Sequence, residues 1–277
     1  MTQTRLPFNK NTRKTTRPFE LVHTDICGPF PASYDGYKYF VTFTDDFTRF
    51  TCIFPMKNKS DLKDIFKRYS RRMKRQFGWR VKKVRSDNGG EYASNALDEF
   101  FSEEGIVWEP TVGYTPPENG VSERLQPNRT ICEKLRTLSF ESGLPIELWP
   151  NLIETATYLK NRSPTKALKG KTPYETLYKR KPDLSNLRVI GCKAWVAIPK
   201  EKLQKLDSRS AECRLIGYAA STQYILYQMD VREVIYSRDV VFDEGFGPRG
   251  GENEEEVDDI EVFRTNHELK FLIPDKL

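Results

Sequence analysis

Histidine is nearly missing from this 277-residue chain, which holds only His23 and His267. Two such distant residues give little to a Ser-His-Asp or Cys-His nucleophilic system, and too little to a His/Cys zinc knot. The five cysteines, Cys27, Cys52, Cys132, Cys192 and Cys213, are odd in number and scattered, with no CxxC pair. They suggest neither a disulfide framework nor a metal clip, and a reducing intracellular compartment is the natural expectation. There is no apolar run of about 18 residues, so no membrane span or membrane partner is expected. Residues 1–17 are polar and basic without an apolar centre, unlike a secretory signal. A Gly-x-x-x-x-Gly-Lys-Ser/Thr loop is also missing, which argues against an NTPase.

Charge is plentiful but unevenly placed. The net charge is +6, and residues 57–85 hold thirteen Lys or Arg against Asp61 and Asp64. Residues 160–205 hold thirteen against Glu175, Asp183 and Glu201, whereas residues 243–261 carry nine acids against Arg249. Two basic blocks and an acidic end suit a phosphate-binding body with a solvated tail. The plainer reading is a set of charged helix faces followed by a disordered tail.

Residues 1–18 carry five basic residues, no acids and no periodicity, as expected of a lead-in. Glu20–Ile26 reads as a strand stopped by Gly28-Pro29. Tyr37–Thr44 and Phe50–Phe54 are aromatic and β-branched, flanking a hairpin turn at Asp45-Asp46. Leu62, Ile65, Phe66, Tyr69, Met73 and Phe77 then recur at helical spacing, with Ser60 as a candidate cap and Gly78 as the stop. A strand over Val81–Ser86 precedes a second helix, capped by Ser94, with Leu97, Phe100 and Phe101 inward and Gly105 at its end. Ile106–Trp108 reads as another strand. Leu148, Trp149, Leu152, Ile153, Ala156 and Leu159 mark a helix ending near Ser163-Pro164. Short strands follow at Val189–Gly191, Ala194–Ile198, Cys213–Tyr218, Tyr224–Tyr227 and Val234–Tyr236, suggesting a small all-β barrel of about 55 residues. The interleaving of strands and helices before the barrel argues an α/β domain.

Three carboxylates stand in pointed contexts. Asp25 lies in His23-Thr24-Asp25-Ile26-Cys27-Gly28-Pro29, Asp87 in Arg85-Ser86-Asp87-Asn88-Gly89-Gly90-Glu91-Tyr92, and Glu123 in Pro116-Pro117-Glu118-Asn119-Gly120-Val121-Ser122-Glu123-Arg124. Thirty-five residues separate Asp87 from Glu123. Each alone reads as a strand end, a turn or an exposed helix acid. Together they suit a site that holds two Mg²⁺ about 3.5–4 Å apart, activating a nucleophile and stabilising a leaving oxygen at a phosphodiester. Glu91 is a neighbouring acid that could imitate a ligand; His23 reads as a strand residue, and Asp45 and Asp46 as shapers of the hairpin.

These motifs and their spacing resemble the integrase of copia-type retrotransposons, part of a retrovirus-related Pol polyprotein. Asn161–Thr165, Lys171–Glu175 and Ser237–Glu244 extend the resemblance over roughly residues 4–244. It implies a ribonuclease H-like mixed sheet flanked by helices, followed by a small Src-homology-3-like barrel. The expected organisation is a basic lead-in over 1–18, a catalytic core over 19–165, a connector over 166–186, the barrel over 187–244 and an acidic, disordered tail over 245–277. By resemblance Asp25, Asp87 and Glu123 are the catalytic and metal-binding residues. Asp25 would bridge two Mg²⁺ or Mn²⁺ ions, with Asp87 and Glu123 serving one each. Thr4–Phe8 resembles the stretch after the family's zinc module, so no zinc is expected in this chain. The implied reaction is processing of DNA 3′ ends and strand transfer into double-stranded target DNA, by a homo-oligomer acting in the nucleus. Arg85, Asn88, Tyr114, Asn119, Arg124 and Lys134 are candidate DNA-binding residues, the basic ones neutralising phosphates without reading sequence.

One departure stands out. The family usually reads Glu-Arg, one or two residues, then Asn-Arg-Thr. Here Glu123-Arg124-Leu125-Gln126-Pro127-Asn128-Arg129-Thr130 carries two extra residues. A proline inside a helix clashes with the carbonyl four residues earlier, here that of Glu123, at a cost of about 3 kcal/mol. The apolar phase also breaks between Leu125 and Ile131, so a fresh helix start capped at Thr130 is expected. Two alternatives follow: a degenerate or co-opted remnant that binds DNA without catalysis, and a ribonuclease H-type nuclease without joining activity.

Overall fold

The structure is a computed structural model that describes residues 15–87, 89–92, 95–111, 127–198, 209–220 and 222–245. By contact it divides into two compact units. The first gathers the described residues of 1–29, 38–130 and 164–179; the second gathers those of 30–37, 131–163 and 180–277. This partition is not linear: residues 131–163 group with the barrel residues, and 164–179 with the first unit.

The first unit is built on five strands: β1 (Leu21–Cys27), β2 (Tyr39–Asp45), β3 (Thr51–Met56), β4 (Lys83–Ser86) and β5 (Val107–Pro110). Their order is β3-β2-β1-β4-β5. β1, β2 and β3 pair antiparallel, whereas β4 runs parallel to both β1 and β5. The sequence supports this local choice. Residues 39–56 form a tight hairpin whose turn is held by Asp45, which accepts from the Thr48 backbone N–H at 2.9 Å, the Thr48 hydroxyl at 2.6 Å and the Phe19 N–H at 2.7 Å. Parallel strands need a long crossover, and helix α1 (Leu62–Phe77) supplies it between β3 and β4.

Leu62, Ile65, Phe66, Tyr69 and Met73 bury one stripe of α1, and Gly78 ends it in the left-handed region at φ 71°. Phe43 of β2 stacks on Tyr69 at 4.6 Å and meets the edge of Phe66 at 5.4 Å. Phe66 in turn meets Phe101 of α2 (Asn95–Glu104) at 5.3 Å. Ser60 is not the cap expected of it. A 3-10 turn over Lys59–Asp61 precedes α1, with Asn58 at its start. Asp61 reaches back there, accepting from the N–H groups of Lys57 and Asn58 at 3.1 and 3.0 Å. Ser60 lies inside that 3-10 turn, and Asp61 stands at the N-cap position of α1 in its place. Ser94 lies outside the described residues.

Helix α3 (Pro127–Ser142) is already formed at Pro127, and Thr130 therefore lies inside it instead of opening a new helix. A proline at the first turn costs a helix nothing, because that N–H has no intrahelical partner. Helix α4 (Trp149–Arg162) and the short α5 (Pro173–Tyr178) follow, α5 capped by the Thr172 hydroxyl, which accepts from the Glu175 N–H at 2.9 Å.

The second unit holds β6 (Lys193–Ala197), β7 (Ser210–Ala220), β8 (Gln223–Gln228), β9 (Glu233–Ser237) and β10 (Val241–Asp243), all antiparallel in the order β10-β6-β7-β8-β9. α4 lies on β7 so closely that a Cβ on Gly217 would meet the Thr155 hydroxyl, which donates to the Ile216 carbonyl at 2.9 Å. Tyr158 stacks on Tyr218 at 4.9 Å. The strand expected over Val189–Gly191 does not form. The chain turns there, the Cys192 N–H reaching the Val189 carbonyl at 3.1 Å with Gly191 at φ 85°. No described helix is long and apolar enough to cross a membrane.

Candidate active site

The parallel pairing of β1 with β4 fixes the geometry of the site. His23 lies opposite Arg85 in that register, so Asp25, still within β1, and Asp87, just past the end of β4, are each two residues further on and stand at the same level. With a side-chain period of two, the two acids share the disposition of that partnered pair. In sheets of this kind the carboxyl ends of parallel strands are the place where ligands meet the fold. β4 stops at Ser86 because Ser86 is tied down on several sides. Its hydroxyl donates to the Asp87 carbonyl at 2.8 Å and accepts from the Trp108 indole at 2.9 Å, while its own carbonyl accepts from the Thr111 N–H at 2.8 Å.

The turn after Asp87 is anchored as well. Tyr92 is buried, and its hydroxyl meets that of Thr24, the residue before Asp25, at 2.9 Å. Glu91 in the same turn accepts from Lys59 Nζ at 3.1 Å. Desolvation works against its charge, but hydrogen bonds from its own backbone and from Lys59 hold the carboxyl below the usual range.

Asp25 differs from its neighbours. The residue is exposed, yet enough protein crowds its carboxyl to penalise the charge. That desolvation, with the negative charges of Asp87 and Glu91, pushes its pKa up to about 6. Opposing this, the side-chain amide of Asn128 donates to Asp25 Oδ2 at 2.8 Å. Two neighbouring carboxylates that present only hard oxygen donors fit a divalent cation such as Mg²⁺, which prefers oxygen ligands and keeps several waters. Among the described residues no group of three His, Cys, Asp or Glu is placed to hold a metal. Glu123, the third acid of the expected site, lies outside the described residues, as do Asn88, Tyr114, Asn119 and Arg124.

The remaining expected residues are accounted for. Arg85 Nη2 donates to Glu109 Oε2 at 2.7 Å, beside a second bond from Lys83, so its charge is largely answered on the sheet. Lys134 is half-buried on α3 and belongs to the second unit. His23 is a strand residue paired with Asp46 at 3.1 Å, and Asp46 also holds Arg49 at 3.0 Å. Sequence reasoning did not assign Asn128, Thr42 or Tyr92 to the site. Thr42 carried a signal: a polar residue inside the apolar run Phe40-Val41-Thr42-Phe43 of a buried strand requires a polar partner.

Comparison with known proteins agrees with this architecture. Residues 15–116 match the family described as Integrase core domain, and residues 192–255 match the Retroviral polymerase SH3-like domain. The chain is 40% identical over 244 residues to the Retrovirus-related Pol polyprotein from transposon TNT 1-94 of Nicotiana tabacum, covering 87% of this chain and 18% of that one. It is 35% identical over 245 residues to the Pol polyprotein from transposon RE1 of Arabidopsis thaliana, covering 88% and 16%. The chain therefore spans less than a fifth of the length of these relatives. A chain of a simian T-cell lymphotropic virus intasome, solved with the PP2A regulatory subunit B56 gamma, superposes with a TM-score of 0.50 at 16% identity, covering 89% of this chain and 85% of that one. At that identity the superposition speaks for the fold alone.

Proposed function

From a chain that joins an integrase core domain to a retroviral polymerase SH3-like domain, and whose relatives are the Pol polyproteins of plant copia-type retrotransposons, we propose a retrotransposon integrase that processes DNA 3′ ends and transfers them into target DNA. Asp25, Asp87 and Glu123 are its catalytic and metal-binding residues in this reading. The observation that carries it is the pairing of parallel β1 and β4, which sets Asp25 and Asp87 beside one another at the carboxyl ends of their strands. Bound divalent ions would supply Lewis-acid charge that activates the attacking oxygen and stabilises the leaving one. The chain's own residues that would hold those ions are Asp25, Asp87 and Glu123, through their carboxylate oxygens. Arg85, Asn88, Tyr114, Asn119, Arg124 and Lys134 contact double-stranded DNA, and several copies assemble on it in the nucleus. The test is strand transfer of a short donor duplex into plasmid DNA with Mg²⁺. Asp87→Asn is expected to reduce joined product at least a thousandfold while leaving salt-sensitive DNA binding in place. Full joining activity in Asp87→Asn would remove the catalytic reading.

A second reading has one specific observation in its favour. The Gln126-Pro127 pair gives the motif two more residues than the family usually has. A remnant that retains DNA binding without catalysis would show that binding in the same assay and no joined product, even in the parent chain. Deleting Gln126 and Pro127 then becomes the informative change, since restored joining would assign the loss to the two residues.

A further inference from the structure

We propose that Asn128 is a positioning residue for Asp25, aimed through Thr42, and that this relay fixes the orientation of the Asp25 carboxylate toward a bound divalent cation. The inference rests on the metal-binding reading above. Three observations meet at one point. Asp25 of β1 and Thr42 of β2 are direct partners in the antiparallel ladder, so their side chains project from the same face. Asn128, second residue of α3, is buried, and donates from Nδ2 to Asp25 Oδ2 at 2.8 Å. Thr42, also buried, donates its hydroxyl to Asn128 Oδ1 at 2.8 Å.

The direction of each bond follows from chemistry. An ionised carboxylate only accepts, so the amide must turn its NH₂ toward Asp25 and its carbonyl toward Thr42. A hydroxyl has one proton. Thr42 Oγ1 lies 3.4 Å from the Asp25 carbonyl and 2.8 Å from Asn128 Oδ1, and the shorter contact takes the proton. The relay engages Oδ2 of Asp25 from one side, and the Ile26 backbone N–H also bonds the carboxyl, so the carboxylate is held in one orientation toward a ligand. A neutral donor is what this position needs. A lysine would cancel the negative charge shared with Asp87, and an aspartate would add to the repulsion around Asp25. The amide sets orientation without altering charge, the task that partners of metal ligands perform elsewhere.

The test is Mn²⁺ affinity of the full chain without DNA, read by electron paramagnetic resonance of the free ion, alongside thermal melting without metal. Asn128→Ala is expected to weaken Mn²⁺ binding about tenfold. Thr42→Val should weaken it severalfold, and Thr42→Ser, which retains the hydroxyl, should restore it. Wild-type affinity in Asn128→Ala overturns the proposal. So does equal loss in Thr42→Val and Thr42→Ser, which would indicate packing instead of hydrogen bonding. If Asn128→Ala does not fold, the two Thr42 variants decide alone. Asp25→Asn separates the levels: unchanged Mn²⁺ binding there removes the metal-binding reading and this proposal with it, whereas loss in Asp25→Asn with none in Asn128→Ala removes the proposal alone.

Discussion

Asp25 in the first unit and Glu154 in the second both resist ionisation, for different reasons. Asp25 of the first unit is pushed to about 6 by desolvation together with the charges of Asp87 and Glu91, against the pull of Asn128. Glu154 on α4 of the second unit is pushed to about 8 by burial and nothing else. Its Oε1 has no hydrogen-bond partner among the described residues, and the residue is 6% exposed. A perturbed acid is therefore not by itself a sign of chemistry. What marks Asp25 is that the charges of other acids, Asp87 and Glu91, add to its desolvation at an exposed sheet position, where a cation would relieve their repulsion. Glu154 lies on the buried face of α4, with no neighbouring acid among the causes of its shift.

The largest break of this comparison is expected at Glu154. Below about pH 4.5 the group is protonated both folded and unfolded, so it adds no pH dependence. As pH rises from there to about 8, the unfolded chain releases the proton and the folded chain keeps it. Folding stability falls across that window, by at most about 5 kcal/mol, since one pKa unit corresponds to about 1.4 kcal/mol. Glu154→Gln should flatten the slope, and urea unfolding at pH 5, 6.5 and 8 would measure it. If wild type is as stable at pH 8 as at pH 5 relative to Glu154→Gln, the carboxyl is not sealed off as described.

A smaller effect is expected where the first unit is held by hydrogen bonds beside Asp25. Tyr92→Phe removes the contact with Thr24 and leaves a buried hydroxyl unanswered, at a cost of about 1–3 kcal/mol. Denaturant unfolding at neutral pH reads this directly. Thr24→Val combined with Tyr92→Phe should recover part of the loss, because neither partner is then stranded. A double variant that simply adds the two single losses would show that the hydroxyls do not depend on one another.

The two regions also differ in how much of them could be read from residues alone. The β-hairpin, α1 and the helix over α4 follow from periodicity, because each buries one face of a regular pattern: Leu62, Ile65, Phe66, Tyr69 and Met73 show it plainly. Asp25 and Asp87 were legible through their motifs, and their proximity only through the family resemblance, since it depends on β4 running parallel to β1 across a crossover. Asn128 was visible only as part of a displaced motif. Its role needs Thr42 and Asp25 to be ladder partners, a register that local pattern does not encode. Glu154 was hidden for a related reason: an acid in a helix reads as solvent-facing unless the sheet that covers it is known. The failed strand at Val189–Gly191 shows the reverse case, where β-branched residues met a glycine turn that local propensity underweights.

The finest test of the comparison asks whether the Asp25 shift truly belongs to its neighbours. Carbon-detected NMR titration of the side-chain carboxyls, without metal, reports Asp25 and Glu154 in one experiment. Asp87→Asn removes a like charge and is expected to move Asp25 down toward the ordinary carboxylate range, while Asn128→Ala removes a donor to the charged form and is expected to move it up. Glu154 should hold its value in both variants, because burial is its only cause. Opposite movements from two substitutions on either side of one carboxyl separate charge from crowding. If Asp25 instead stays near 6 in both, desolvation alone sets its pKa. The two acids would then differ only in degree, and the case for a cation drawn to the ends of β1 and β4 would lose its electrostatic support.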